Sequence, residues 1–232
     1  MTTPWMIDEL DFAGPEHLDP AYVAGFDRKS GTDPGDDVAL LRAHGLAADA
    51  TVVDLAAGTG TFTLAIAPHV HRVVAADVSP AMLTRLTRRA ADTDLRNITV
   101  EQAGFLSYRH TGPAADAVHT RHALHQLPDL YKPIALHRIA AILRPGGLLR
   151  LRDLIFDVSP AQMTDFVDRW LAGNTITDPA AGYTRADLVT HLRTEFSTYR
   201  WLFEPMLDAA GFDILDADYR AGVYAAYTCV RR

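Results

Sequence analysis

From Thr51 onward, short β-branched or small apolar runs alternate with longer stretches of helical periodicity. The runs at 51–55, 72–77, 98–102, 115–120 and 148–153 predict strands, and the stretches at 61–67, 80–91 and 130–143 predict helices. Ser79 is a good N-cap, Pro80 suits a first helical position, and Pro145-Gly146-Gly147 ends a helix and turns the chain into the next strand. Such alternation is the signature of a parallel sheet covered by helices.

The pattern breaks at both ends of this core. Within 1–45, Trp5, Phe12, Tyr22 and Phe26 sit among Pro, Gly and Asp, ahead of an apolar stretch at 38–44. This reads as a cap or lid over the open end of the sheet. A second irregular segment, 154–200, contains a helix at 161–171, a loop through Gly182 and a helix opened by Thr184 with Asp187 as capping partner. It is expected to form part of the substrate side. A helix over 195–204 would put Tyr199, Leu202, Phe203 and Met206 on one face, with Tyr199 or Trp201 able to line a pocket. Runs at 212–218 and 223–230, joined by Arg220-Ala221-Gly222, predict a closing hairpin, so the last strand should run antiparallel. The whole of 1–232 reads as one α/β domain.

Composition narrows the chemistry. The formal charge is −7, with no dense Lys/Arg cluster, which argues against nucleic acid as partner. One cysteine, Cys229, leaves no internal disulfide and no Cys-based zinc site. Neither a signal peptide nor an apolar run of membrane-spanning length is present, so a cytoplasmic protein, monomer or homodimer, with no membrane partner is expected.

The chemistry concentrates at Val52-Val-Asp-Leu-Ala-Ala-Gly-Thr-Gly-Thr-Phe62: a strand, a turn of small residues, and a helix start. Ala56, Gly58 and Gly60 let backbone amides approach a ligand that larger side chains would exclude. Asp54 can accept a hydrogen bond from a ligand ammonium or order the loop. One β-α-β unit later Val73-Val-Ala-Ala-Asp77 ends in an acid that can take both hydroxyls of an adenosine ribose, or cap the following helix. A dinucleotide fingerprint would need its third glycine at Thr63, and a closing hairpin does not fit a second mononucleotide half.

Five stretches in order then resemble the class I S-adenosylmethionine-dependent methyltransferases: 54–60, 76–82, 102–105, 116–127 and 143–148. The resemblance implies a Rossmann-like, seven-stranded, mostly parallel sheet with helices on both faces and an antiparallel last strand. It implies S-adenosyl-L-methionine as donor and S-adenosyl-L-homocysteine as product. Asp54, Ala56, Gly58, Thr59 and Gly60 would surround the methionine part, and Asp77 the ribose. Val78 and Met82 would lie against the adenine, and Thr120 and Arg121 beside the methionine. Gly104-Phe105 stands where many members carry Gly-Asp, so adenine recognition there would come from backbone or stacking.

The acceptor is less marked. His119, His122 and His125 follow the fourth strand. His119 should pack within the strand, whereas His122 and His125 are the candidate catalytic residues, since imidazole is the natural base near neutral pH. The strand-to-loop break keeps the three off one helical face, so no metal is expected. Arg150, Arg152 and Asp153 are unusual in a central strand, where apolar residues belong; an Arg152–Asp153 network would explain them, or Asp153 could reach the substrate pocket. Tyr22, Lys29 and Tyr183 are further pocket candidates, Lys29 toward the donor carboxylate. The resulting expectation is methyl transfer to an O, N or C atom of a small molecule; the alternative is a non-catalytic donor-binding partner or regulator of the same fold.

Overall fold

The computed structural model describes residues 4–30 and 33–232; the first three positions of the expected cap, and 31–32 within it, lie outside the described residues. The cap consists of a 3-10 turn at Glu9–Phe12 and three helices, α1 (Pro15–Leu18), α2 (Pro20–Ser30) and α3 (Gly35–Ala43). The core follows as β1 (Thr51–Leu55), α4 (Thr61–Ile66), β2 (Arg72–Asp77), α5 (Pro80–Ala91), β3 (Ile98–Gln102), β4 (Ala115–Arg121), α6 (Lys132–Ile142) and β5 (Leu143–Phe156). Next come α7 (Met163–Gly173), α8 (Arg185–Thr194), β6 (Thr198–Tyr199), α9 (Arg200–Ala209), β7 (Phe212–Arg220) and β8 (Tyr224–Arg231).

The strands line up β3-β2-β1-β4-β5-β8-β7, with the two-residue β6 paired alongside β5. Among the described residues only β8 is antiparallel, against both β5 and β7. The order reverses between β1 and β4, and in open sheets of this type the crevice beyond the strand ends at the reversal is where ligands bind. Among the described residues no helix is long and apolar enough to cross a membrane.

Alternation within the strands divides the core into two layers. Val53, Leu55, Val118, Leu149 and Leu151 pack with α6 and α9 on one face, and Val52, Val73, Ala117 and Leu148 pack with α3 and α4 on the other. The second face also carries a row of polar residues: Asp54 is registered with His119, His119 with Arg150, and Arg150 with Thr228.

Two local expectations need correction. Strand β5 extends from 143 to 156 rather than 148 to 153, because the Pro-Gly-Gly turn bulges within the strand; Ala115 pairs with Leu143 and Ala117 already with Leu148. The helix expected over 195–204 starts only at Arg200, since Thr198 and Tyr199 pair with Ile155 and Phe156. The Thr184–Asp187 capping box forms as expected.

Candidate active site

At the carboxyl ends of β1, β2 and β4 lies a cavity of about 740 Å³, within the usual size of small-molecule sites (about 300–1,000 Å³). Its walls include Asp54, Ala56, Gly58, Thr59, Asp77, Val78, Met82, Gly104, Phe105, Arg121, His122 and His125. Gly60 and Thr120 stand behind the wall. Gly60 is the left-handed N-cap of α4, packed so closely that an added Cβ would come 2.6 Å from Leu86 Cγ. Thr120 is buried on β4 with its hydroxyl unpartnered.

The β1–α4 turn is shaped by backbone conformation. Ala56 (φ 58°) and Gly58 (φ 55°) are both left-handed, a costly choice for a residue with a side chain and one concentrated at functional sites. Nothing lies within 4 Å of where a Gly58 Cβ would stand, so the turn is open toward the cavity. Asp54 holds the turn from below: it accepts from Thr63 Oγ1 at 2.6 Å and pairs with His119 Nδ1 at 2.8 Å. His119 in turn stacks on Phe62, with ring centroids 3.6 Å apart.

Asp77 ends β2 almost fully buried. Its Oδ2 accepts from Gly58 N and its Oδ1 from Ser79 N, both at 2.8 Å. Each oxygen keeps a lone pair for a further donor on the cavity side. Burial pushes its pKa up to about 6 against the lowering pull of those amides, with the Asp54 charge adding to the rise. Ser79 caps α5 through Met82 N, so ligand-facing and capping roles coexist across two residues.

The polar row on the sheet is neutralised from the cap. Asp37 of α3, fully buried, pairs with Arg150 Nε at 2.8 Å and Arg152 Nη1 at 3.1 Å. His119 Nε2 and Arg121 Nη1 each lie 3.8 Å from it. Burial opposes its ionisation, yet His119 and Arg150 hold its carboxyl well below the usual range. The expected Arg152–Asp153 network is therefore replaced by Asp37, while Asp153 turns to His125. Three guanidiniums and His119 face two carboxylates, and Arg121 Nη1 has no hydrogen-bond partner, leaving positive charge at the cavity wall.

On the opposite side of the cavity, His122 is left-handed (φ 51°) and its ring stacks with that of Tyr224, centroids 6.0 Å apart. The His122 side chain is exposed and faces the cavity. His125 is buried with Nδ1 on Asp153 and Nε2 3.1 Å from Glu195 Oε2. Burial opposes its charge, but Asp153 and Glu195 raise its pKa to about 9. His191, from the last turn of α8, joins this group through Glu195.

The cap and the 154–200 segment roof the cavity. Lys29 sits 5.1 Å from the Tyr22 ring and 4.7 Å from the Tyr183 ring and pairs with Asp187 at 3.5 Å. Trp201 is exposed and stacks with Tyr199, and neither belongs to the wall. Residues that sequence reasoning missed include Glu9, Asp27, Asp37, His191 and Glu195. Glu9 reaches from the cap to accept from Leu106 N, Ser107 N and Ser107 Oγ, filling the space a Gly104 side chain would need. Asp27 ties α2 to the β1–α4 turn through Thr59 and Arg89. The overlooked signal was the pair of arginines on β5: buried cations demand a buried acid.

Residues 52–147 match the family model described as a methyltransferase domain. The chain is 23% identical over 171 residues to the uncharacterised methyltransferase YcgJ of Bacillus subtilis, covering 73% of this chain and 64% of that protein. It is 33% identical over 112 residues to the uncharacterised protein YafE of Escherichia coli, covering 48% of this chain and 51% of that one. The matches thus span under two thirds of the length of these curated relatives. Among solved structures, magnesium protoporphyrin IX methyltransferase from Synechocystis with bound S-adenosylmethionine superposes with a TM-score of 0.66 at 15% identity, covering 99% of this chain and 100% of that one. A methyltransferase from Aquifex aeolicus superposes at 0.63 with 17% identity, covering 92% and 99%. At these identities the superpositions establish the fold alone, and residues 52–147 within it are similar to the methyltransferase-domain family.

Proposed function

We propose that this chain transfers a methyl group from S-adenosylmethionine to an oxygen, nitrogen or carbon atom of a small molecule. The observation that carries this reading is the buried Asp77 carboxylate, fixed by two backbone amides at the edge of the cavity beside the open, left-handed turn at Ala56–Gly58. The residues fit the donor. Asp77 would take the ribose hydroxyls, and Val78, Met82 and Phe105 would enclose the adenine. The backbone of 56–58 admits the amino-acid part without a Cβ at Gly58 in the way, and the unpartnered Arg121 Nη1 suits its carboxylate.

When bound, S-adenosylmethionine supplies an electrophilic methyl group on a sulfonium centre and is left as S-adenosylhomocysteine. The task of this chain is then to align an acceptor and exclude water. His122 and His125 contact the acceptor from the side opposite Asp77, and the roof of Tyr22, Lys29 and Tyr183 closes over it. A roofed cavity of this size and an acidic chain favour a small acceptor over a nucleic acid, and one buried cysteine suits a cytoplasmic setting.

The test is titration calorimetry of the purified chain with S-adenosylhomocysteine, with NADH as control. One saturable site for the first and none for the second is expected, with binding lost in Asp77→Ala. Undiminished binding by that variant would refute the site. Turnover is then sought by S-adenosylhomocysteine release over a panel of hydroxylated and amino small molecules.

A further inference from the structure

Away from Asp77, the same cavity carries a second built constellation. His191 lies in the last turn of α8 and Glu195 is its C-cap, so the i,i+4 spacing sets both side chains on one helical face. Phe196 N donates to His125 O at 2.8 Å, which locks the 124–126 turn against the end of α8 and brings His125 alongside. The nearest donor atoms of His125, His191 and Glu195 all lie within 4.8 Å of one another. Glu195 Oε2 is buried and faces His125 Nε2 at 3.1 Å and His191 Nδ1, but it accepts no aligned hydrogen bond from either.

The outer partners are as telling as the inner atoms. Asp153, itself fully buried, holds His125 Nδ1, and Ser197 Oγ lies 2.9 Å from His191 Nε2. Each imidazole is therefore anchored at one nitrogen and turns the other toward a common centre shared with a carboxylate oxygen, with Gln126 Nε2 3.3 Å from His125 Nε2 at its edge. A histidine oriented by a carboxylate or hydroxyl behind it is the usual second shell of a metal ligand.

We propose that His125, His191 and Glu195 bind one divalent first-row transition cation, of the zinc or ferrous class. Two imidazoles exclude magnesium and calcium, which prefer oxygen. Three protein ligands leave positions open to the cavity, as in catalytic rather than structural sites. The role of the ion, though not its binding, rests on the methyl-transfer reading above. It takes the hydroxyl oxygen of an acceptor and lowers its pKa, and the proton leaves to solvent. The oxygen–carbon bond then forms as the donor sulfur–carbon bond breaks, and oxyanion and sulfonium become a neutral methyl ether and thioether. This narrows the acceptor class to hydroxylated compounds.

The experiment uses the full chain, free of any affinity tag and stripped with EDTA, titrated with Zn²⁺ by calorimetry and with Co²⁺ by visible absorption. One equivalent should bind, with Co²⁺ showing ligand-field bands of a nitrogen- and oxygen-ligated site. His191→Ala and Glu195→Gln, each checked for cooperative unfolding, should lose it at least about 100-fold, and Asp153→Asn should weaken it about 10- to 100-fold. S-adenosylhomocysteine binding, measured in parallel, should stay within about twofold in His191→Ala and Glu195→Gln. A protein that binds S-adenosylhomocysteine but neither Zn²⁺ nor Co²⁺, or metal binding that survives both substitutions, overturns the cation site. Metal binding without S-adenosylhomocysteine binding supports the cation site and overturns the methyl-transfer reading instead.

Discussion

Donor affinity should fall in acid through one residue, Asp77. In the free protein its carboxyl titrates at about 6, because burial costs the charged form more than the Gly58 and Ser79 amides return. Ribose hydroxyls donate to a carboxylate and favour its ionised form, so the protonated protein is the weak binder. With binding confined to the ionised form, the apparent Kd rises about twofold at pH 6 and about 11-fold at pH 5, or about 1.4 kcal/mol. S-adenosylhomocysteine itself carries no group that titrates between pH 5 and 8, which makes calorimetry with that ligand a clean assay. Asp77→Asn should bind about 100-fold more weakly at pH 7.5, from the loss of charge-assisted bonds, and should lose the acid dependence. The same shift has a stability consequence of known sign. A carboxyl with its folded pKa above the unfolded value favours the folded state below that unfolded value, and the contribution is lost as pH rises through 6. Asp77 therefore contributes about 2 kcal/mol at pH 4 that is absent at pH 8, and Asp77→Asn should flatten this part of the stability profile. Affinity that is unchanged from pH 7.5 to 5, or an equal acid dependence in Asp77→Asn, would refute the assignment.

Two further perturbations probe the charge arrangement behind the turn. Arg121→Ala should weaken S-adenosylhomocysteine binding by about tenfold to 100-fold while leaving binding of a decarboxylated analogue nearly unchanged; equal losses for both ligands would remove Arg121 from the carboxylate role. Asp37→Asn leaves Arg150 and Arg152 buried without their counter-ion and should cost about 3–5 kcal/mol in urea unfolding, whereas a loss below about 1 kcal/mol would mean that water reaches the pair.

The side of the cavity built by the β1–α4 turn and the end of β2 was legible because it is written in short-range chemistry. A left-handed turn requires small residues at fixed spacing, and a strand-end acid follows one β-α-β unit later; both read directly from 52–62 and 73–77. The antiparallel closure read equally well, from a tight connector at 220–222. Gly60 and Thr120 were placed at the ligand because motif spacing reports backbone path and not which face a residue turns. The rest of the cavity depends on pairs far apart in sequence. Asp37 meets arginines more than 110 positions away, and Glu9 meets a turn nearly 100 positions on. Read singly, each such acid is indistinguishable from a solvated one. Tyr199 and Trp201 were misplaced for a related reason: pairing of 198–199 with the end of β5 overrides a helical pattern that is locally sound.

Strength of attachment also differs around the cavity. The cap is rooted to the body by buried, charge-assisted contacts: Asp37 to the β5 arginines and Glu9 to the amides of 106–107. Buried groups of this kind cost several kcal/mol when one partner is removed. The seam between cap and 154–200 segment is of another order. Lys29 meets Asp187 at 3.5 Å with the carboxylate side chain 38% exposed, beside two cation–π contacts and the Phe12–Phe196 ring pair at 5.9 Å. Each of these is worth about 1 kcal/mol or less. The weakest line around the cavity thus runs between its two roof segments rather than along the sheet. The residues proposed to hold the donor are consequently anchored by the most buried part of the fold, while the roof residues Tyr22, Lys29 and Tyr183 sit along its weakest seam.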